Sequence, residues 1–173
     1  PRVTAPETGG APRIEALLRS AGLPALPRTA WLEIDLDRLA GNVTAIRAAL
    51  PRGVSLEVVV KADAYGHGAV PIAWAALAAG ARGLCVATLD EALEIRRAGI
   101  DAPILVLFPI PPAAAPAAAR AGVAIAAGDA GLLADALAAD AAARRRARRE
   151  IPALGIQLAI ETEQQLLCLG PVD

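Results

Sequence analysis

Seven consecutive positions hold the only lysine, the only tyrosine and the only histidine of the chain: Lys61-Ala62-Asp63-Ala64-Tyr65-Gly66-His67. They follow directly on the apolar run Leu56-Glu57-Val58-Val59-Val60. Lysine and arginine together number 17, so sixteen are arginine and one primary amine stands alone. A lysine amine can lose its proton and attack a carbonyl to form a Schiff base, whereas guanidinium stays charged and unreactive. The pattern therefore points to covalent chemistry on a carbonyl-bearing group at Lys61. Tyr65 carries a hydroxyl able to donate to a phosphate or carboxylate, or equally a ring for packing. Gly66 and Gly68 let the backbone pass close to a ligand. His67 reads as a hydrogen-bonded supporting residue rather than a proton donor in its own right.

Something must hold that segment in place, and the spacing of apolar residues indicates what. Short apolar strands are expected at about 56–60, 83–87, 103–107, 122–126 and 154–160. Alanine-rich helical segments at about 68–79, 89–98, 112–120 and 129–149 separate them. Strand and helix alternating at this repeat length predict crossover units and a parallel sheet. Ligands bind such sheets at the carboxyl ends of the strands, and Lys61 occupies that position. Thr88-Leu89-Asp90-Glu91 has the form of a capping box that starts the second helix.

Upstream, residues 1–12 are rich in Pro, Gly and Thr and read as a leader. Ile14 to Ala21 has helical apolar spacing, with Gly22 as its stop. Trp31-Leu32-Glu33-Ile34-Asp35-Leu36 alternates and reads as a half-exposed strand. Asp37 is then the expected cap of a helix whose inner face carries Leu39, Val43, Ile46 and Leu50.

Composition limits the function classes. The chain has 173 residues, long enough for one core but short of a barrel of about 250 residues. A net charge of −1 gives no general attraction for nucleic acid or anionic membrane. The run Arg144-Arg145-Arg146-Ala147-Arg148-Arg149 reads as a solvated helix end that favours the negative end of the dipole. Asp35 and Asp37 read as cap and surface positions, not a catalytic pair. Cys85 and Cys168 lack disulfide or metal-ligand spacing and are expected to be buried and reduced, and no metal site is expected. No apolar stretch approaches the roughly 20 residues of a membrane span, and no signal peptide is visible, so a cytoplasmic protein is expected. There is no methionine and the first residue is Pro1, which suggests a piece of something longer.

Val58-Val59-Val60-Lys61-Ala62-Asp63-Ala64-Tyr65-Gly66-His67-Gly68 resembles the pyridoxal-phosphate attachment motif of the alanine racemase family. Ala30 to Leu36, Val86 to Ala92 and Gly99 to Leu107 resemble that family's leading strand and its next two strand and helix units. The similarity runs from about residue 28 to residue 162. It implies an incomplete (β/α)8 TIM-type barrel of the α/β class, with about five parallel strands after an N-terminal strand and helix. It further implies pyridoxal 5'-phosphate as cofactor, held by Lys61 as an internal aldimine, with Tyr65 near its phosphate. The implied reaction interconverts L-alanine and D-alanine, which feeds the bacterial cell wall, and full-length relatives are expected to be homodimers. Residues 1–27 would form a leader with a short helix and 163–173 a divergent tail, and the family's C-terminal β-domain would be absent.

Departures accompany the resemblance. Ala159 stands where some members carry a lysine, and the match is lost after Thr162, as a truncation or frame change would produce. The family's opposite-face tyrosine, the arginine facing its cofactor's pyridine nitrogen and most of its phosphate loop come from later barrel strands or the C-terminal β-domain, so this chain alone is expected to be inactive. A non-catalytic pyridoxal-phosphate-binding barrel protein and an inactive gene fragment are the alternatives.

Overall fold

The chain was analysed as a computed structural model that describes residues 14–25, 32–147, 149–162 and 165–169. The expected leader over 1–12 lies outside those residues. Helix α1 (Ile14–Ser20) ends as its sequence predicts, with Gly22 at φ +66 and Leu23 N–H donating to Leu18 O at 2.9 Å. It belongs to a first unit, Pro1–Ile34, separate from the second, Asp35–Asp173.

The second unit is built on one sheet in the order β1-β2-β3-β4-β5-β6. Strands β1 (Glu57–Val59), β2 (Gly83–Val86), β3 (Ile104–Val106), β4 (Ala124–Ala127) and β5 (Ile156–Thr162) run parallel, as the repeat predicts. β6 (Gln165–Leu169) returns antiparallel on β5, with Thr162 opposite Gln165. This hairpin adds a strand within the segment read as a divergent tail. Among the described residues the sheet does not close, as expected for part of a barrel.

Side chains alternate across each strand. Val58, Leu84, Val86, Ile104, Val106, Ile125 and Ile156 all turn to one face and join a single apolar cluster. That cluster takes in Ile72 and Ala73 of α4 (Ala69–Ala78), Ala92 and Ile95 of α5 (Leu89–Arg97), Ala118 of α6 (Ala115–Arg120) and Ala136 of α7 (Ala130–Arg146). Alanine on the helices permits close approach to the sheet, which explains its dominance in the composition. Val59, Cys85 and Leu105 occupy the alternate positions, and the Cys85 thiol lies 3.4 Å from Glu57 Oε2. The sheet is tight at Gly83, where a Cβ would meet Pro103 O at 2.9 Å.

Arg96 fastens three segments of the helix layer. Its guanidinium donates to the carbonyls of Ile100, Ala102, Ala121 and Gly122 at 2.7–2.9 Å. Burial lowers its pKa from the ordinary value, partly opposed by the charge of Asp101.

Three expectations need correction. No strand forms over residues 32–35, and Trp31 lies outside the described residues. Alternation alone does not make a strand without a neighbour to complete its hydrogen bonds, and Leu32 is 79% exposed. The cap of α2 (Leu36–Ala49) is Asp35, whose Oδ1 accepts from Arg38 N–H at 2.9 Å, and Asp37 sits in the first turn. Of the apolar face on α2, Val43 is buried against Ala76 and Ala81, but Ile46 stays half exposed.

Arg144 also departs from the solvated reading of the arginine run. It pairs with buried Asp140 at 2.6 Å and donates to the carbonyls of Ile151 and Pro152, tying the end of α7 to the approach to β5. Cys85 is buried and in no disulfide, as expected, and the Cys168 side chain lies outside the described part. No helix among the described residues is long and apolar enough to cross a membrane.

Candidate active site at the end of the first parallel strand

Lys61 stands where the β1–β2 ladder ends. Val60 N–H donates to Cys85 O at 2.8 Å, so pairing continues to the residue before the lysine. The chain then enters a short helical segment, α3 (Lys61–Gly66), of an unusual kind: Ala62, Asp63, Ala64 and Tyr65 have φ between 51° and 58°. Four successive non-glycine residues thus lie in the left-handed region, each at a cost of roughly 1–2 kcal/mol. Composition gives no hint of this, since neither alanine nor tyrosine favours that region.

Hydrogen bonds from outside the turn hold it. Ala64 N–H donates to Val60 O at 2.9 Å, and Gly68 N–H to Asp63 O at 2.9 Å. The Asp63 carboxylate accepts from Ala69 N–H at 2.6 Å and so occupies the start of α4. His67 donates from Nδ1 to Ala64 O at 2.7 Å, the supporting bond expected of it. Gly66 and Gly68, at φ +83 and +92, carry the chain out of the turn. At Gly68 a Cβ would meet the Pro71 ring at 3.1 Å.

Glu91 reaches the same turn from α5. The capping box with Thr88 forms as the sequence predicts. Its carboxylate accepts from Ala87 N–H at 2.7 Å through Oε2 and from Ala62 N–H at 2.8 Å through Oε1. The sequence identifies the cap but not the second contact, which joins residues 29 positions apart.

Lys61 and Tyr65 therefore share one turn, with Lys61 half-buried and Tyr65 60% exposed. No carboxylate pairs with Lys61 among the described residues; its Nζ lies instead 5.5 Å from the centroid of the Phe108 ring. Phe108 follows β3, held by its N–H donating to Ala87 O at 3.2 Å. It was not anticipated from the sequence. Its signal was the one that singled out Lys61: it is the only phenylalanine of the chain, placed just past a parallel strand.

An unpaired primary amine at the mouth of a parallel sheet fits an aldehyde cofactor that bonds to lysine. The phosphate of such a cofactor has fewer partners here. Asp63 already takes the first amide of α4, while exposed Tyr65 carries a hydroxyl able to donate to a phosphate.

Fold and site together define a lysine-bearing α/β protein built on part of a parallel barrel. The sequence profile described as "Alanine racemase, N-terminal domain" matches residues 34–163. The chain belongs to this family. It is 58% identical over 80 residues to alanine racemase of Geobacillus kaustophilus, covering 46% of this chain and 21% of that protein. The crystal structure of alanine racemase from Bacillus anthracis with bound L-Ala-P superposes with a TM-score of 0.62 at 46% identity, covering 67% of this chain and 30% of that one. A histidine racemase from Leuconostoc mesenteroides subsp. sake superposes with a TM-score of 0.61 at 29% identity, covering 69% and 32%. The chain spans about a fifth of the length of the curated relatives it matches.

Proposed function

We propose that this chain is the cofactor-anchoring part of a pyridoxal-phosphate-dependent alanine racemase. One observation carries the proposal: the single lysine of a family member stands unpaired at the carboxyl end of β1, on a turn held by Glu91 and Asp63. Lys61 would hold the cofactor through its aldehyde, and Tyr65 would donate its hydroxyl to the phosphate. When bound, pyridoxal 5'-phosphate supplies the electron sink that stabilises charge at the substrate Cα.

Lys61 has two tasks. It would hold the cofactor, and its amine, when free, would take or return the Cα proton on one face. Proton transfer on the other face requires a group from beyond these residues, so residues 1–173 alone are inactive. The complete enzyme interconverts L-alanine and D-alanine in the bacterial cytoplasm, supplies D-alanine for the cell wall and works as a homodimer.

The test is direct. Pyridoxal phosphate is added, the absorption band of the lysine adduct is recorded, the adduct is reduced with borohydride and the modified peptide is mapped. The label is expected on Lys61, and Lys61→Arg, which keeps the charge but not the reactive amine, is expected to lose it at least tenfold. A wild-type chain without adduct, or an adduct retained in Lys61→Arg, removes the proposal.

A further inference from the structure

We infer that Glu91 is a positioning residue for Lys61, beyond its role as a helix cap; the catalytic side of this inference rests on the cofactor attachment proposed above. In a left-handed turn the amide of the first residue cannot join a regular helical ladder, so it needs a partner from elsewhere. Ala62, at φ 51, is that residue, and its N–H is bonded to Lys61 through the peptide plane. Glu91 Oε1 accepts from it at 2.8 Å, which fixes the orientation of the peptide between Lys61 and Ala62. The other oxygen, Oε2, accepts from Ala87 N–H at 2.7 Å and Thr88 N–H at 3.4 Å.

One carboxylate therefore ties the ends of two adjacent parallel strands, and each oxygen has its own task. An ordinary capping box uses only the second. Charge-assisted bonds of this kind are short and directional, which suits a residue that must aim a neighbour's side chain.

Two substitutions separate aiming from capping. Glu91→Gln keeps the length of the side chain but leaves one acceptor oxygen, so the two sets of amides can no longer both be served. Glu91→Asp keeps the charge at the helix start and is one methylene short of Ala62. Thr88→Ala is the control, weakening the cap while leaving the carboxylate in place.

Two readouts apply to each chain: apparent affinity for pyridoxal phosphate from the adduct band, and the rate at which trinitrobenzenesulfonate labels Lys61 without cofactor. The second is read at the peptide that carries Lys61, the one lysine of the chain. Both Glu91 variants are expected to bind the cofactor roughly tenfold more weakly, equivalent to about 1.4 kcal/mol. They are also expected to change the labelling rate by about threefold or more, whereas Thr88→Ala lowers the unfolding midpoint and leaves both readouts within about twofold.

Unchanged affinity and labelling in a folded Glu91 variant overturns the inference. So does a loss in Thr88→Ala that matches the Glu91 variants, since capping alone would then explain it. A wild-type chain that takes up no cofactor while labelling still responds to Glu91→Asp would sink the attachment reading and retain Glu91 as the group that aims Lys61.

Discussion

At the scale of single residues, the left-handed turn reverses the usual meaning of an alanine-to-glycine change. Glycine adopts positive φ without the Cβ clash that Ala62 endures at φ 51, although it loses more backbone entropy on folding. Relief of roughly 1–2 kcal/mol against an entropic cost of about 0.5–1 kcal/mol leaves Ala62→Gly more stable by about 0.5–1 kcal/mol. Ala134→Gly, on an exposed position of α7, is expected to cost about 1 kcal/mol. Urea unfolding of both variants checks the pair, and a loss of stability in Ala62→Gly would mean that the turn carries no strain. That Lys61, Tyr65 and His67 share one turn was legible because these rare residue types stand close together in sequence. The turn was not, because its backbone is held by distant Glu91 and nearby Asp63 rather than chosen by its own side chains.

At the scale of elements, the two aspartates before and within α2 offer a sharp comparison. Asp35 accepts from Arg38 N–H and also pairs with the Arg38 guanidinium, which is largely exposed, whereas Asp37 makes no cap. Asp35→Ala is expected to destabilise the second unit by about 1 kcal/mol, and Asp37→Ala to stay within about 0.5 kcal/mol, as read from thermal or urea midpoints. Equal effects would contradict the cap assignment. The sequence placed this helix correctly but chose the wrong cap, because the alternation of Trp31 to Leu36 suggested a strand running through Asp35. The α5 cap was legible because its partner lies three residues away. For Arg144 the i, i+4 spacing to Asp140 was visible, but the carbonyls of Ile151 and Pro152 were not, since they meet it only after the chain turns toward β5.

At the scale of the whole molecule, the repeat of strand and helix gave the parallel order, because each parallel strand pairs with the next in sequence. The return of β6 was hidden, since nothing in an apolar run states its direction. β1 lies at one end of the strand order, and Val59, Tyr65 and Phe108 are 39–60% exposed near the lysine end. Among the described residues no strand pairs with the outer edge of β1, and an open edge beside apolar surface invites association. Residues 1–173 expressed alone are therefore expected to self-associate, with a sedimentation coefficient that rises over the micromolar range; a monomer at all concentrations with cooperative unfolding would overturn this. The consecutive strand order also has a temporal consequence. As the chain leaves the ribosome, each strand from β2 to β5 meets its partner already synthesised, so assembly can proceed in the direction of translation without waiting for distant segments. Of the described strands, the one that leads to Lys61 is then the first laid down, and the turn after it can be locked only when Glu91 emerges.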